Sequence, residues 1–295
     1  MVFLALLLTT SPIDTSYTTT IAVAEAESLR VTVRGEGHAV VFIPGLFGSS
    51  YTYRHVVARL DGAGFQLIGV EPLGIGSSSR PKDADYSLTA QAERVIAVLD
   101  TLRVEQAVLV AHAVGASIAM RMAYRYPSRV RGIVSIEGGP GETATTRGFR
   151  RWMKFAGVAK LIDGRRAMAR AISREMKDVS ADDSWVTDRV LQAYTRGLVR
   201  DYRGTLSAYQ GMSRSEEPEL LRDYLHTIPC PVVLLVGETD HKSGPAPEEI
   251  ALLAERLPAF SVDTVASSGF FIQEEKPTAV ATAVTEIAAG PACGT

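Results

Sequence analysis

Short apolar runs punctuate this chain, and most of them end on Gly or Pro. Residues 28–34 alternate, with Leu29, Val31 and Val33 on one side, before a turn at Gly35-Glu36-Gly37. Residues 39–43, 65–70, 107–111, 132–136 and 231–236 are instead continuous apolar stretches rich in Val, Ile and Leu, and a last run covers 260–266. Stretches of four to eight such residues suit strands buried on both faces of a parallel sheet. Between them the period lengthens. Residues 87–102 carry Ala92, Val95, Ile96 and Leu99 at helical spacing behind a capping signal at Ser87, and 117–126, 247–257 and 277–289 read the same way. Strands alternating with amphipathic helices predict an α/β fold on a doubly wound, mostly parallel sheet.

One segment departs from this rhythm. Residues 141–224 show helical periodicity and polar turns but no convincing strand, and they hold Trp152, Trp185, Tyr194, Tyr202, Tyr209 and Tyr224. The expectation is a helical cap inserted between two halves of the core, 28–140 and 225–289, and lying over the carboxyl edge of the sheet. The plainer alternative is a set of packing helices with no part in a site. Residues 1–27 fall outside that core. Met1 to Leu8 is an apolar run far short of the ~20 residues a membrane-spanning helix needs, so no integral membrane span is expected. It is about the length of a secretory signal's apolar region, and Ala22-Val23-Ala24 offers a cleavage signal, yet no basic residue precedes it. Export to the periplasm and a disordered leader on a cytoplasmic protein both stay open. Residues 290–295 read as a frayed tail.

Composition narrows the function. With 295 residues, 46% hydrophobic and 22% charged, the chain can bury a full core and is not globally disordered. Lys+Arg 31 against Asp+Glu 33 gives a net charge of -2, which implies no broad nucleic-acid-binding face. Cys230 and Cys293 are too few for a zinc knuckle or a disulfide framework. The histidines, His38, His55, His112, His226 and His241, are scattered without ligand spacing, so no metal is expected. Gly74-Ile75-Gly76 lacks the rest of a dinucleotide fingerprint and reads as a turn, so no cofactor is expected either.

Four motifs in order carry a resemblance. They are Phe42-Ile43-Pro44-Gly45-Leu46 after the second run; Glu71-Pro72-Leu73-Gly74-Ile75-Gly76-Ser77; Ala111-His112-Ala113-Val114-Gly115-Ala116 between a strand and a helix; and Val236-Gly237-Glu238-Thr239-Asp240, followed about thirty residues later by Gly269-Phe270-Phe271-Ile272-Gln273-Glu274-Glu275-Lys276-Pro277. Together they resemble the α/β-hydrolase fold superfamily, in its cap-bearing esterase, lactonase and epoxide-hydrolase-like branches, over residues 28–289. The first motif has Pro44-Gly45 where relatives usually have His-Gly. The second has Glu71 for the usual Asp.

The resemblance implies a nucleophile at the Gly-x-Ser-x-Gly bend, a His base on the late loop and an Asp that orients it. Carried over residue by residue, the nucleophile position is Ala113, the base position is Phe270 and the acid position is Asp240. A methyl group has no lone pair and a phenyl ring accepts no proton near pH 7, so hydrolysis through a covalent intermediate is not expected. Relatives acting on epoxides or halides place Asp at the bend, which Ala113 also fails to supply. Ser117 lies a turn into the helix and reads as packing. His112 reads as a packed neighbour of the bend, and His241 is a weak candidate for a replacement base. Asp240, without its partner, is expected to take donors from Ser268, His241 or backbone amides. The backbone N–H groups of Leu46 and Val114, implied as the oxyanion hole, survive loss of the side chains. Two departures together, with Phe for His needing two nucleotide changes, favour natural loss over an engineered one.

The expected function is therefore a non-hydrolytic or pseudoenzyme member binding a small apolar or carbonyl-bearing ligand. The alternatives are an inactivated carboxylic ester or lactone hydrolase, and a protein-interaction role through the cap.

Overall fold

The computed structural model describes residues 16–144 and 164–290. Most of the apolar leader, Trp152 and the tail with Cys293 lie outside the described residues. Eight strands form one sheet in the order β1-β2-β4-β3-β5-β6-β7-β8. They are β1 (Tyr17–Ala24), β2 (Glu27–Arg34), β3 (His38–Ile43), β4 (Phe65–Glu71), β5 (Ala107–His112), β6 (Val130–Ile136), β7 (Val232–Gly237) and β8 (Phe260–Val265). The pairs β1–β2 and β2–β4 are antiparallel; every other pair is parallel.

One strand departs from the expectation. Residues 17–24 were to belong to a leader outside the core, but they form β1, paired from Tyr17↔Val33 to Ala24↔Glu27. The β-branched run Thr18-Thr19-Thr20-Ile21 explains this: it suits an edge strand, and Ile21 is buried. Cleavage after Ala24 would remove the edge of the sheet.

The central strands are apolar throughout because both faces are covered. Val41, Leu109 and Ile133 pack with α2 (Leu88–Thr101) and α3 (Val114–Arg125) on one face. Val40, Phe42, Val108, Val110 and Val134 pack with α1 (Arg54–Leu60) and the last helix, Pro277–Ala289, on the other. Neighbouring residues of one strand thus serve opposite layers.

Between β6 and β7 the described chain is helical: α4 (Gly164–Asp178), α5 (Asp188–Arg200), α6 (Tyr202–Arg214) and α7 (Leu221–Tyr224). Both ends of this excursion are fastened to α3. The fully buried Arg121 pairs with Glu142 at 3.0 Å and with Glu217 at 3.1 Å. Glu142 also accepts from the N–H of Leu221 and Arg222, and Glu217 from the N–H of Leu88 and Thr89. The remaining helices are α8 (Pro247–Arg256), α9 (Ile272–Glu275) and α10 (Pro277–Ala289). No helix among the described residues is long and apolar enough to cross a membrane.

Candidate functional site

The chain winds one way from β3 to β4 and then places β5 on the other side of β3. In open α/β sheets ligands bind at such a switch, outside the carboxyl ends of the strands. Leu46 follows β3 there, and Ala113 and Val114 follow β5.

Ala113 occupies a sharp strand-to-helix bend with φ 51° and ψ −119°. A side chain in that region costs of order 1–3 kcal/mol unless the surroundings impose it. They do so through close packing. Ala113 N–H donates to Ile136 O at 2.9 Å, and a Cβ on Gly115 would stand 2.5 Å from Ile43 O. A Cβ on Gly138 would meet Ala116 Cβ at 2.4 Å and Ala113 O at 2.5 Å. These glycines let β3, β5 and the start of α3 crowd together. Gly45 lies against the same bend, where an added Cβ would sit 3.5 Å from Ala113 Cβ. Val114 opens α3, so its N–H has no acceptor within the helix. Leu46 N–H likewise donates to no described residue. Among the described residues neither expected oxyanion donor thus has an acceptor, and Leu46 O is held by the Tyr209 hydroxyl at 2.6 Å.

The second motif is organised by its own carboxylate. Glu71 accepts from Ser50 N–H at 2.9 Å and Ser77 N–H at 2.6 Å. Gly76 has φ 55°, and a Cβ there would overlap Glu71 Oε2 at 2.2 Å. Ser117 donates to Gly139 O and accepts from Gly141 N–H, bracing α3 against the chain after β6, in keeping with a packing role.

Opposite the bend, the late loop is aromatic. Phe270 N–H donates to Val179 O in the helical excursion. Its ring meets His112 edge-on at 4.6 Å, Phe271 at 5.2 Å and His241 at 5.6 Å. Trp185 and Tyr194 extend the cluster through Phe271 at 5.2 and 6.1 Å. His112 Nε2–H donates to Phe270 O at 3.1 Å, and burial pushes its pKa down to about 4, so the ring is neutral.

Asp240 differs from the expectation. It is exposed and makes no hydrogen bond to a described residue. Ser268 Oγ donates to Val265 O instead, and Ser267 N–H goes to Glu238. The physical reason is competition: the donor beside Phe270, His241 Nε2, is taken by the buried Glu137, and the Asp240 carboxylate stays in water. The buried acid is Glu137, just past β6 with φ 49°. It accepts from Gly237 N–H and lies 3.3 Å from His241 Nε2, with side-chain exposures of 2% and 6%. Glu137 raises the His241 pKa, chiefly by this hydrogen bond. Sequence reasoning missed Glu137; a lone Glu between Ile136 and Gly138 was the available signal. His38 and His226 are exposed, and His55 lies on α1 beside Glu274, so none of the three reaches the bend.

A family model described as the alpha/beta hydrolase fold matches residues 38–277. A haloalkane dehalogenase of Agrobacterium fabrum is 39% identical over 103 residues, which is 35% of this chain and 33% of the relative, so that match spans about a third of the relative's length. A putative 2-succinyl-6-hydroxy-2,4-cyclohexadiene-1-carboxylate synthase of Bacillus subtilis is 25% identical over 265 residues, 88% of this chain and 94% of the relative. Among solved structures, Cfl2 of Burkholderia cenocepacia has a similar fold, with a TM-score of 0.76 at 23% identity over 91% of this chain and 94% of that one. Sheet order, switch-point bend and family match agree: the chain belongs to the alpha/beta hydrolase fold family.

Proposed function

We propose that this protein binds a small apolar or carbonyl-bearing ligand at the bend after β5 and does not hydrolyse it through a covalent intermediate. The observation that carries this reading is Ala113, a methyl side chain at the strained bend where a nucleophile would have to stand. Phe270, the position implied for the base, turns a phenyl ring toward His112. The N–H groups of Leu46 and Val114 suit a carbonyl oxygen. The rings of Phe270, Phe271, Trp185 and Tyr194 suit an apolar body, with the helical excursion acting as a cap.

A second reading is an inactivated ester or lactone hydrolase, favoured by the retained φ of 51° at Ala113, which a plain binding site has no need of. Stopped-flow assays with p-nitrophenyl acetate and butyrate test both. The native chain is expected to release no stoichiometric burst of p-nitrophenol; a burst would overturn the proposal. The double variant Ala113→Ser/Phe270→His then separates the two: renewed turnover supports the inactivated hydrolase, and continued inertness supports a rebuilt binding site.

A further inference from the structure

We propose that the outward face of α4 docks on anionic phospholipid membranes. This helix buries Met168, Ile172 and Met176 against the rest of the protein and leaves Arg166, Arg170, Arg174 and Lys177 exposed. At 3.6 residues per turn the four cations fall within about 80° of arc and extend over about 16 Å, a single stripe. With Ser173 and Asp178 of the same helix and Leu191 of α5 they line an open groove of about 750 Å³, four cations to one carboxylate. Lys177 lies 3.5 Å from Asp183, a pair about half exposed on both sides and therefore weak.

The rest of the chain sharpens the contrast. In sequence, α4 itself holds five Lys/Arg against two Asp/Glu, +3 in a chain whose total is -2, which leaves -5 for everything else. An anionic surface attracts one face of such a molecule and repels the remainder, so it orients as well as binds. A membrane fits better than a nucleic acid. The described residues of α4 include no aromatic side chain on which a base could stack, and the tryptophan and tyrosine nearby point into the Phe271 cluster. The apolar side of α4 is already buried, so docking is electrostatic, without insertion. The chain just past α4 is Val179, whose carbonyl holds Phe270 N–H, so the docked face adjoins the candidate site.

Vesicle co-sedimentation with the full chain tests this. Vesicles of phosphatidylcholine with one-third phosphatidylglycerol are expected to carry the protein down at low salt, and pure phosphatidylcholine vesicles are not. Roughly 0.5 M salt should release it, because screening shortens the range of charge attraction to a few ångströms. The exposed-site variant Arg170→Ala/Arg174→Ala/Lys177→Ala should lower the partition coefficient about a hundredfold. The control Lys82→Ala/Arg103→Ala/Arg256→Ala, on other exposed surface, should bind as the native chain does. Failure to pellet with anionic vesicles, equal binding to neutral ones, a triple variant that binds like the native protein, or preferential retention by duplex DNA would each overturn the proposal.

Discussion

The two halves of the candidate site are built differently. The half at the bend after β5 is made of backbone. Its shape follows from Gly45, Gly115 and Gly138, whose missing side chains let three chain segments meet at 2.4–3.5 Å from where a Cβ would stand. The half on the late loops is made of side chains that need partners. There Asp240 is exposed and His241 pairs with Glu137. Close backbone packing fixes the first half whatever side chains it carries, whereas the second is set by which side chains pair.

The strongest way to break this contrast is Gly138→Ala. Its new methyl group would meet Ala116 Cβ at 2.4 Å, and urea unfolding is expected to show a loss of about 3 kcal/mol. A loss under 0.5 kcal/mol would mean that packing does not set the bend.

The two histidines supply a pH test of opposite sign. His112 has a folded pKa near 4 against an ordinary 6.5, so the unfolded chain takes up the proton first. Stability therefore falls as pH drops below 6.5, by about 2 kcal/mol at pH 5 from this group. His241 has its folded pKa raised, so its contribution is complete below 6.5 and fades as pH rises through the folded value. Urea titrations between pH 5 and 8 should show that His112→Gln flattens the acid limb and His241→Gln the alkaline one. The same limb flattened by both would show the halves to be one coupled unit.

The smallest effects sharpen the comparison further. Ala113→Gly should gain about 1 kcal/mol by relieving the positive φ. Asp240→Asn should stay within about 0.5 kcal/mol, because Asp240 is exposed and touches the rest of the site only through its charge on His241. Calorimetric melting reads both, and a large loss at Asp240 would show that its charge holds the late loops together.

Much of this was legible beforehand where period and turn chemistry agree. The runs at 39–43, 107–111 and 132–136 became β3, β5 and β6 within one or two residues, because strands covered on both faces must be apolar throughout. The bend at Ala113 was legible from its neighbours Val114-Gly115-Ala116, between an apolar strand and an amphipathic helix. The strand at Tyr17–Ala24 was obscured by the apolar run before it, which made the whole segment resemble a leader. The Glu137–His241 pair was hidden for another reason: its members stand 104 residues apart, and nothing local in either marks the other. Resemblance carried Asp240 to the site by position, while its exposure goes with the pairing of its neighbour His241 with Glu137.

The grip of Arg121 on Glu142 and Glu217 has an evolutionary reading. One guanidinium sets where the excursion leaves the core and where it returns. The intervening chain can therefore diverge, lengthen or be exchanged wholesale while the sheet beneath stays as it is. Selection on new ligands would then act on an interchangeable module, and Arg121 would be the residue such a lineage could least easily lose.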